Sequence, residues 1–306
     1  MEKPRIGFIG LGAMGSGMAK NLVAKGFPTT VLGNRDPAPV LDLVSHGAKE
    51  GHSPAQVANA SDIVIVCVPG SPQVESIVYG EAGLLTAARE GLIVIDCSTS
   101  EPESTARIAA DFGGKGVPFV DAPLARTPKE AIEGRLNVMV GADSAVFGQI
   151  EPVLQAFAEN IFHVGGSGAG HKTKLVNNFL AMGQAAMIAE AMVAGAKAGL
   201  DLQSFIKVVT AGGVNSGIFQ MVAPSALAGT YDGLRFGIDL ARKDLRYYTH
   251  MTESLNLPSF LAEAVHQTFV QASCLGYGRE FVPSLIKAQE HLTSAALRPG
   301  IKDTAE

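Results

Sequence analysis

The chain has 306 residues, 47% of them hydrophobic and 17% charged, with a formal net charge of −5. That length and apolar content can fill the cores of two domains, and the acidic balance disfavours a general nucleic-acid or anionic-membrane binder while leaving room for a local basic pocket. Three cysteines, Cys67, Cys97 and Cys274, lie in apolar segments without a C-x-x-C pair; they read as buried thiols of a reducing compartment, neither a disulfide frame nor a zinc site.

The N-terminal MEKPRIGFIG enters a strand directly, without the basic start, apolar stretch and cleavage site of a secretory leader. No apolar run is read as long enough for a membrane span. The expectation is a cytoplasmic protein that binds neither membrane nor nucleic acid. Strands are predicted at 5–10, 29–33, 62–69, 92–98, 118–123 and 137–142, all nearly continuous in Val and Ile, as strands buried on both faces are. Helical patterns at 13–26, 36–46, 71–79 and 101–113 alternate with them. The class is therefore α/β, a parallel, doubly wound sheet, with a mixed edge near 118–142.

From GGSGAG near residue 165 the strand patterns stop. The stretch 170–198 is rich in Ala, Met and Leu and contains no proline; it predicts one helix of about 40 Å, stopped by Gly199. Further helices are expected at 202–211, 215–228, 238–255, 258–275 and 281–294. The domain reading is 1–165 for the sheet and 166–306 for an all-helical second domain. The apolar surface of the long helix exceeds what one small helical domain can cover, so a homodimer or homotetramer is expected.

The first strand runs into IGFIGLGAMGSGMAKNL, where Gly10, Gly12 and Gly15 fit G-x-G-x-x-G. Each glycine answers a separate physical demand. Gly10 makes the tight turn, Gly12 lets the backbone approach a pyrophosphate, and Gly15 lets the helix pack close to the strand. The free N–H groups and dipole of the new helix then hold the phosphates. Strand before and helix after make this a Rossmann-type dinucleotide site. The second strand ends in GNRDP. Asn34 and Arg35 stand where an acid would bind the ribose of NAD; a guanidinium suits the 2′-phosphate of NADP. Asp36 is the alternative ribose acid, and an ordinary surface arginine the alternative for Arg35. NADP is the expected cofactor, with NAD possible.

These motifs, with DCSTSEP (96–102), DAPLARTPKEAIEGRLNVMVGA (121–142) and GAGHKTKLVNNF (168–179), resemble the β-hydroxyacid dehydrogenase family over nearly the whole chain. The resemblance implies a catalytic lysine at Lys174 and a substrate-contacting asparagine at Asn178, four residues apart and so on one helix face. Lys174 would donate a proton to a carbonyl oxygen as hydride arrives, and its neutral amine would accept one in reverse. The resemblance also implies cofactor contacts at Ala13, Met14, Val68, Pro69, Thr99 and Lys243. For Lys243 a pair with a nearby acid such as Asp239 is the alternative.

In one segment the chain departs from the family. The usual D-A-P-V-S-G-G becomes DAPLART, so Ala125, Arg126 and Thr127 replace the serine and both glycines. Arg126 and Thr127 form a richer anion clamp, similar to that of the sulfolactaldehyde reductase branch; the alternative is an Arg126 turned outward. His171 replaces a common family glutamine. The seven histidines show no metal-ligand spacing, and no metal site is expected. The leading reading is an NADP-dependent dehydrogenase or reductase of a small, anionic β-hydroxy acid or its semialdehyde. The alternatives are sulfolactaldehyde reductase-type activity on a sulfonate, an imine reductase, or a non-catalytic binding module; Lys174 argues against the last two.

Overall fold

Runs of Ile and Val become the central strands because both of their faces are covered. In the computed structural model, which describes residues 3–34 and 36–297, the strands are β1 (Ile6–Ile9), β2 (Thr29–Leu32), β3 (Lys49–Glu50), β4 (Ile63–Val66), β5 (Ile93–Asp96), β6 (Phe119–Asp121), β7 (Leu124–Ala125), β8 (Leu136–Gly141) and β9 (Ala158–Gly165). They form one nine-stranded sheet in the order β3-β2-β1-β4-β5-β6-β8-β7, with β9 paired to β8. The β1 to β6 pairings are parallel, and β8 runs antiparallel to β6 and β7. Alternate residues serve opposite faces: Ile6, Phe8, Ile63, Ile65 and Ile95 meet Met18 and Leu22 on one, and Ile9, Val64, Val66 and Val94 meet Val74, Ile108 and Phe112 on the other. The chain winds outward from β1 to β3, then restarts at β4 on the other side of β1. That reversal opens a crevice at the strands' carboxyl ends, the usual ligand position in such sheets.

The helices are α1 (Gly15–Ala24), α2 (Ala38–Ser45), α3 (Pro54–Asn59), α4 (Ser71–Tyr79), α5 (Pro102–Gly113), α6 (Pro128–Glu133), α7 (Ser144–Leu154), α8 (Ala169–Lys197), α9 (Leu202–Ala211), α10 (Gly217–Ala228), α11 (Ile238–Ser254), α12 (Phe260–Ala272) and α13 (Leu285–Thr293). Two compact units are present, Met1–Leu175 and Val176–Glu306, so the division falls inside α8. In the second unit Met182, Ala185, Ala189 and Met192 of α8 share a core with Phe219 and Val222 of α10, Leu245 of α11 and Phe269 of α12. Gly199 ends α8 with φ +78°, as a left-handed stop requires.

Several elements differ from the sequence expectation. α3 and α6 are absent from it; both are six residues long, with Pro54 or Pro128 in the first helical turn behind a capping Ser53 or Thr127. β9 is absent because its residues are mostly half-buried or exposed. The expected 258–275 helix gives way at Ser273 to a π-helical turn, with Gly276 at φ +93°. α8 corrects the run-length reading: an 18-residue window of it has mean hydropathy 1.4, long and apolar enough to cross a membrane, with 39% of that window buried. The cysteines are free, but only Cys97 is fully buried; Cys67 is half-buried and Cys274 exposed.

His266 of α12 is buried, and its Nδ1 has no hydrogen-bond partner among the described residues. Burial first, then the charge of Arg246, holds its imidazole below its ordinary value. Unfolding therefore takes up a proton, so stability is full above an unfolded pKa of about 6.5 and falls as pH drops toward the lower folded value. Denaturation from about pH 8 to about pH 5 should show this loss in the parent chain and a flatter dependence in His266→Leu. Equal slopes would refute the assignment.

Candidate active site

The three glycines of the β1–α1 turn carry three different constraints. Gly10 has φ +100°, and a Cβ there would lie 2.2 Å from the Cys67 carbonyl oxygen. A Cβ on Gly15 would lie 2.0 Å from the Gly10 carbonyl oxygen. Around Gly12 nothing lies within 4 Å of that position, and Gly12 and Ala13 are exposed beside a half-buried Met14. No side chain caps α1, and no acid occupies its first turn. The open backbone at Gly12 and the uncapped N–H groups fit a pyrophosphate.

Beyond β2, Asn34 is exposed. Arg35, the residue expected to choose the cofactor, lies outside the described residues. Asp36 accepts a 3.0 Å hydrogen bond from the Ala38 N–H, so one carboxylate oxygen is already engaged at the start of α2.

After β4, the Val68 N–H donates to Ser98 Oγ at 3.0 Å, and Pro69 is exposed. After β5, Asp96 accepts from the Ser98 N–H and the Ser100 hydroxyl, both at 2.8 Å, with Thr99 half-buried between them. After β6, the buried Asp121 accepts from the Gly168 N–H at 2.7 Å and the His171 N–H at 2.8 Å. The start of α8 is thereby bound to the sheet's carboxyl edge, with Lys174 half-buried one turn further on. Glycine is needed at 141 and 170, where a Cβ would lie 2.5 Å from Asp121 Oδ1 and from the Asp121 carbonyl oxygen respectively.

The segment expected to meet the substrate forms β7 and α6. Arg126 has φ +81°, a left-handed backbone that favours glycine. Its guanidinium donates to the Arg135 carbonyl at 2.5 Å and forms an ion pair with Glu159. The hydrogen bond from Arg126 holds the Glu159 carboxyl below its usual range. Thr127 caps α6, its hydroxyl donating to Glu130 at 2.5 Å. α6 in turn packs backbone-on-backbone against α1: a Cβ on Gly17 would lie 2.7 Å from the Ala131 carbonyl carbon, and Asn21 Nδ2 donates to the Ala131 carbonyl at 2.9 Å.

Within the second unit, Asn178 Nδ2 donates to Asp244 Oδ2 at 2.6 Å. Lys243 Nζ approaches Asp244 Oδ1 at 2.9 Å without the alignment of a hydrogen bond, and lies 4.9 Å from the Tyr247 ring centroid. The acid beside Lys243 is thus Asp244, while Asp239 takes Ser273 and Arg242. No group of three or more potential metal ligands occurs among the described residues.

Residues 5–165 match the NAD binding domain of 6-phosphogluconate dehydrogenase, and residues 168–288 match the NAD-binding domain of NADP-dependent 3-hydroxyisobutyrate dehydrogenase. The chain belongs to the β-hydroxyacid dehydrogenase family. It is 36% identical to 2-(hydroxymethyl)glutarate dehydrogenase of Eubacterium barkeri over 98% of this chain and all of that one. It is 33% identical to 3-sulfolactaldehyde reductase of Escherichia coli over 90% of this chain and 92% of that one. Among solved structures, 3-hydroxyisobutyrate dehydrogenase of Mycobacterium tuberculosis with L-serine superposes with a TM-score of 0.86 at 26% identity, covering 94% of this chain and 99% of that one. As a β-hydroxyacid dehydrogenase, this chain is an NAD(P)-binding oxidoreductase acting on hydroxyl groups.

Asp96, Asp121 and Asp244 are functional candidates that the sequence alone does not single out. Asp96 and Asp121 each end an apolar strand at the sheet's carboxyl edge, and that position is the signal that could have found them. The glycines predict a clean separation of effects. Gly12→Ala should leave the melting temperature unchanged and weaken NAD(P) binding in a fluorescence titration. Gly15→Ala should cost about 1–3 kcal/mol in stability through overpacking. Equal melting losses in both variants would remove the distinction.

Proposed function

We propose that this β-hydroxyacid dehydrogenase uses NADP to interconvert a small β-hydroxy acid and its semialdehyde, with Lys174 as general acid and base. The observation that carries this reading is the anchoring of Lys174's helix by Asp121 to the edge that also bears the glycine turn. Gly10, Gly12, Ala13, Met14, Gly15, Asn34, Arg35, Val68, Pro69 and Thr99 would hold NADP, which when bound supplies or takes up the hydride. The Lys174 ammonium gives its proton to the carbonyl oxygen in reduction; its neutral amine takes the hydroxyl proton in oxidation. Asn178, held by Asp244, and Lys243 are proposed to contact substrate and cofactor.

We assign Arg126 to a second anionic group on the substrate. A non-glycine residue at positive φ costs about 1–3 kcal/mol and marks functional sites. The names of two relatives, one acting on a hydroxymethylglutarate and one on a sulfolactaldehyde, support a carboxylate or a sulfonate there. Exposed Val176, Leu180 and Met187 on α8 and Phe260 on α12 support a homodimer or homotetramer, and the free thiols support a cytoplasmic setting.

Carboxylate, sulfonate and phosphate semialdehydes assayed with NADPH and NADH test the reading. NADPH oxidation with an anionic semialdehyde is expected, and Lys174→Ala should lower kcat by about 10²–10⁴-fold with cofactor binding retained. More than half the parental kcat in that variant would overturn the assignment. Arg126→Gly should raise KM for the preferred anion with little change in kcat, by roughly 10- to 150-fold if one charge-assisted hydrogen bond of about 1.5–3 kcal/mol is lost. A loss confined to kcat would place Arg126 in the scaffold instead.

A further inference from the structure

His171 is the one histidine among the described residues with no exposed surface, and it stands three residues before Lys174 on α8. Its ring spans two other elements. Nε2 lies 3.2 Å from the Ser98 carbonyl, and Nδ1 lies 2.7 Å from Thr105 Oγ1 on α5. A carbonyl only accepts, so Nε2 carries a proton toward Ser98; Thr105 Oγ1, which faces Nδ1, also lies 3.1 Å from the Glu101 carbonyl. Asp96 Oδ2 stands 3.7 Å from Nε2 on the same side.

The ring therefore closes a buried circuit. Ser98 Oγ holds the Val68 N–H, and Asp96 holds the Ser98 N–H and the Ser100 hydroxyl. His171 joins that strand-end loop to the first turn of α8 through its side chain, while Asp121 holds the same turn through the backbone. Asp121 fixes the first turn through its backbone; the ring adds a side-chain hold on the Ser98 loop and α5, three residues before Lys174. A looser first turn would let the Lys174 backbone shift relative to the loops that bear Val68 and Ser98. A misplacement of about 1 Å is enough to cost about 10²-fold in rate.

We propose that His171 is a positioning residue: its contacts with Ser98 and Thr105 tie the first turn of α8 to the strand-end loop and to α5, and so hold the approach of Lys174 to the reacting oxygen. The inference rests on Lys174 as the proton donor. Glutamine can reproduce the contacts, since its amide N–H donates to the Ser98 carbonyl and its oxygen accepts from Thr105; leucine can make neither.

The test compares His171→Leu, His171→Gln and Thr105→Val by kcat for reduction, NADPH Kd from fluorescence quenching, and thermal melting. 15N-imidazole NMR of the free parent chain supplies the ring state independently of turnover. The expected spectrum shows a proton on Nε2. His171→Leu should lose about 10²-fold in kcat with NADPH Kd close to that of the parent, and His171→Gln should recover most of the loss. An Nδ1–H tautomer, a parental kcat in His171→Leu, or a loss of NADPH affinity matching the loss of kcat would each overturn the proposal. If His171→Leu does not fold, Thr105→Val decides: a reduced kcat at unchanged Kd supports the proposal and a parental kcat overturns it. Lys174→Ala separates the two readings. If that variant stays active, the assignment of Lys174 has failed; if it is inactive while His171→Leu is active, only the positioning role has failed.

Discussion

One buried carboxylate, accepting two backbone N–H groups, holds the start of the longest helix onto the end of the sheet. Asp121 has no exposed surface and meets Gly168 and His171 across a gap of almost fifty residues in sequence. A carboxylate without water must find donors in the protein, and the orphan N–H groups of a helix start are natural ones. The arrangement tolerates no side chain at Gly141 or Gly170. Three segments distant in sequence thus form one joint, and the first turns of α8, Lys174 among them, take their place from it.

Much of the architecture is legible in the sequence because its signals are local. Doubly buried strands show continuous Ile and Val, and the long helix shows twenty-nine residues without proline. The glycine turn is legible because its spacing follows a strand and opens a helix; Gly10 and Gly15 leave no room for a Cβ, while Gly12 faces open space. What stays hidden depends on residues far apart in sequence. Asp96, Asp121 and Asp244 are single acids whose meaning lies in their partners, and Asp244 reaches back 66 positions to Asn178. The proline-led α3 and α6 are hidden for another reason: the same residue opens a helix or breaks one, depending on a capping neighbour.

Arg126 shows the two kinds of information meeting. The sequence displays an arginine where the family has glycine, and the structure displays a backbone that suits glycine. The side chain meanwhile rests on Glu159 and the Arg135 carbonyl. On the function proposed above, an incoming anion would compete with Glu159 for this guanidinium, and surface pairs of that kind are weak.

The packing of α6 on α1 has a consequence for how specificity can be transferred between relatives. Gly17 and Asn21 sit on the helix that opens the cofactor turn, yet their contacts are with the backbone of the segment that follows Arg126 and Thr127. A graft of residues 124–136 alone would set a foreign backbone on a surface shaped for this one. The exchangeable module is therefore discontinuous: a stretch of α1 must travel with residues 124–136.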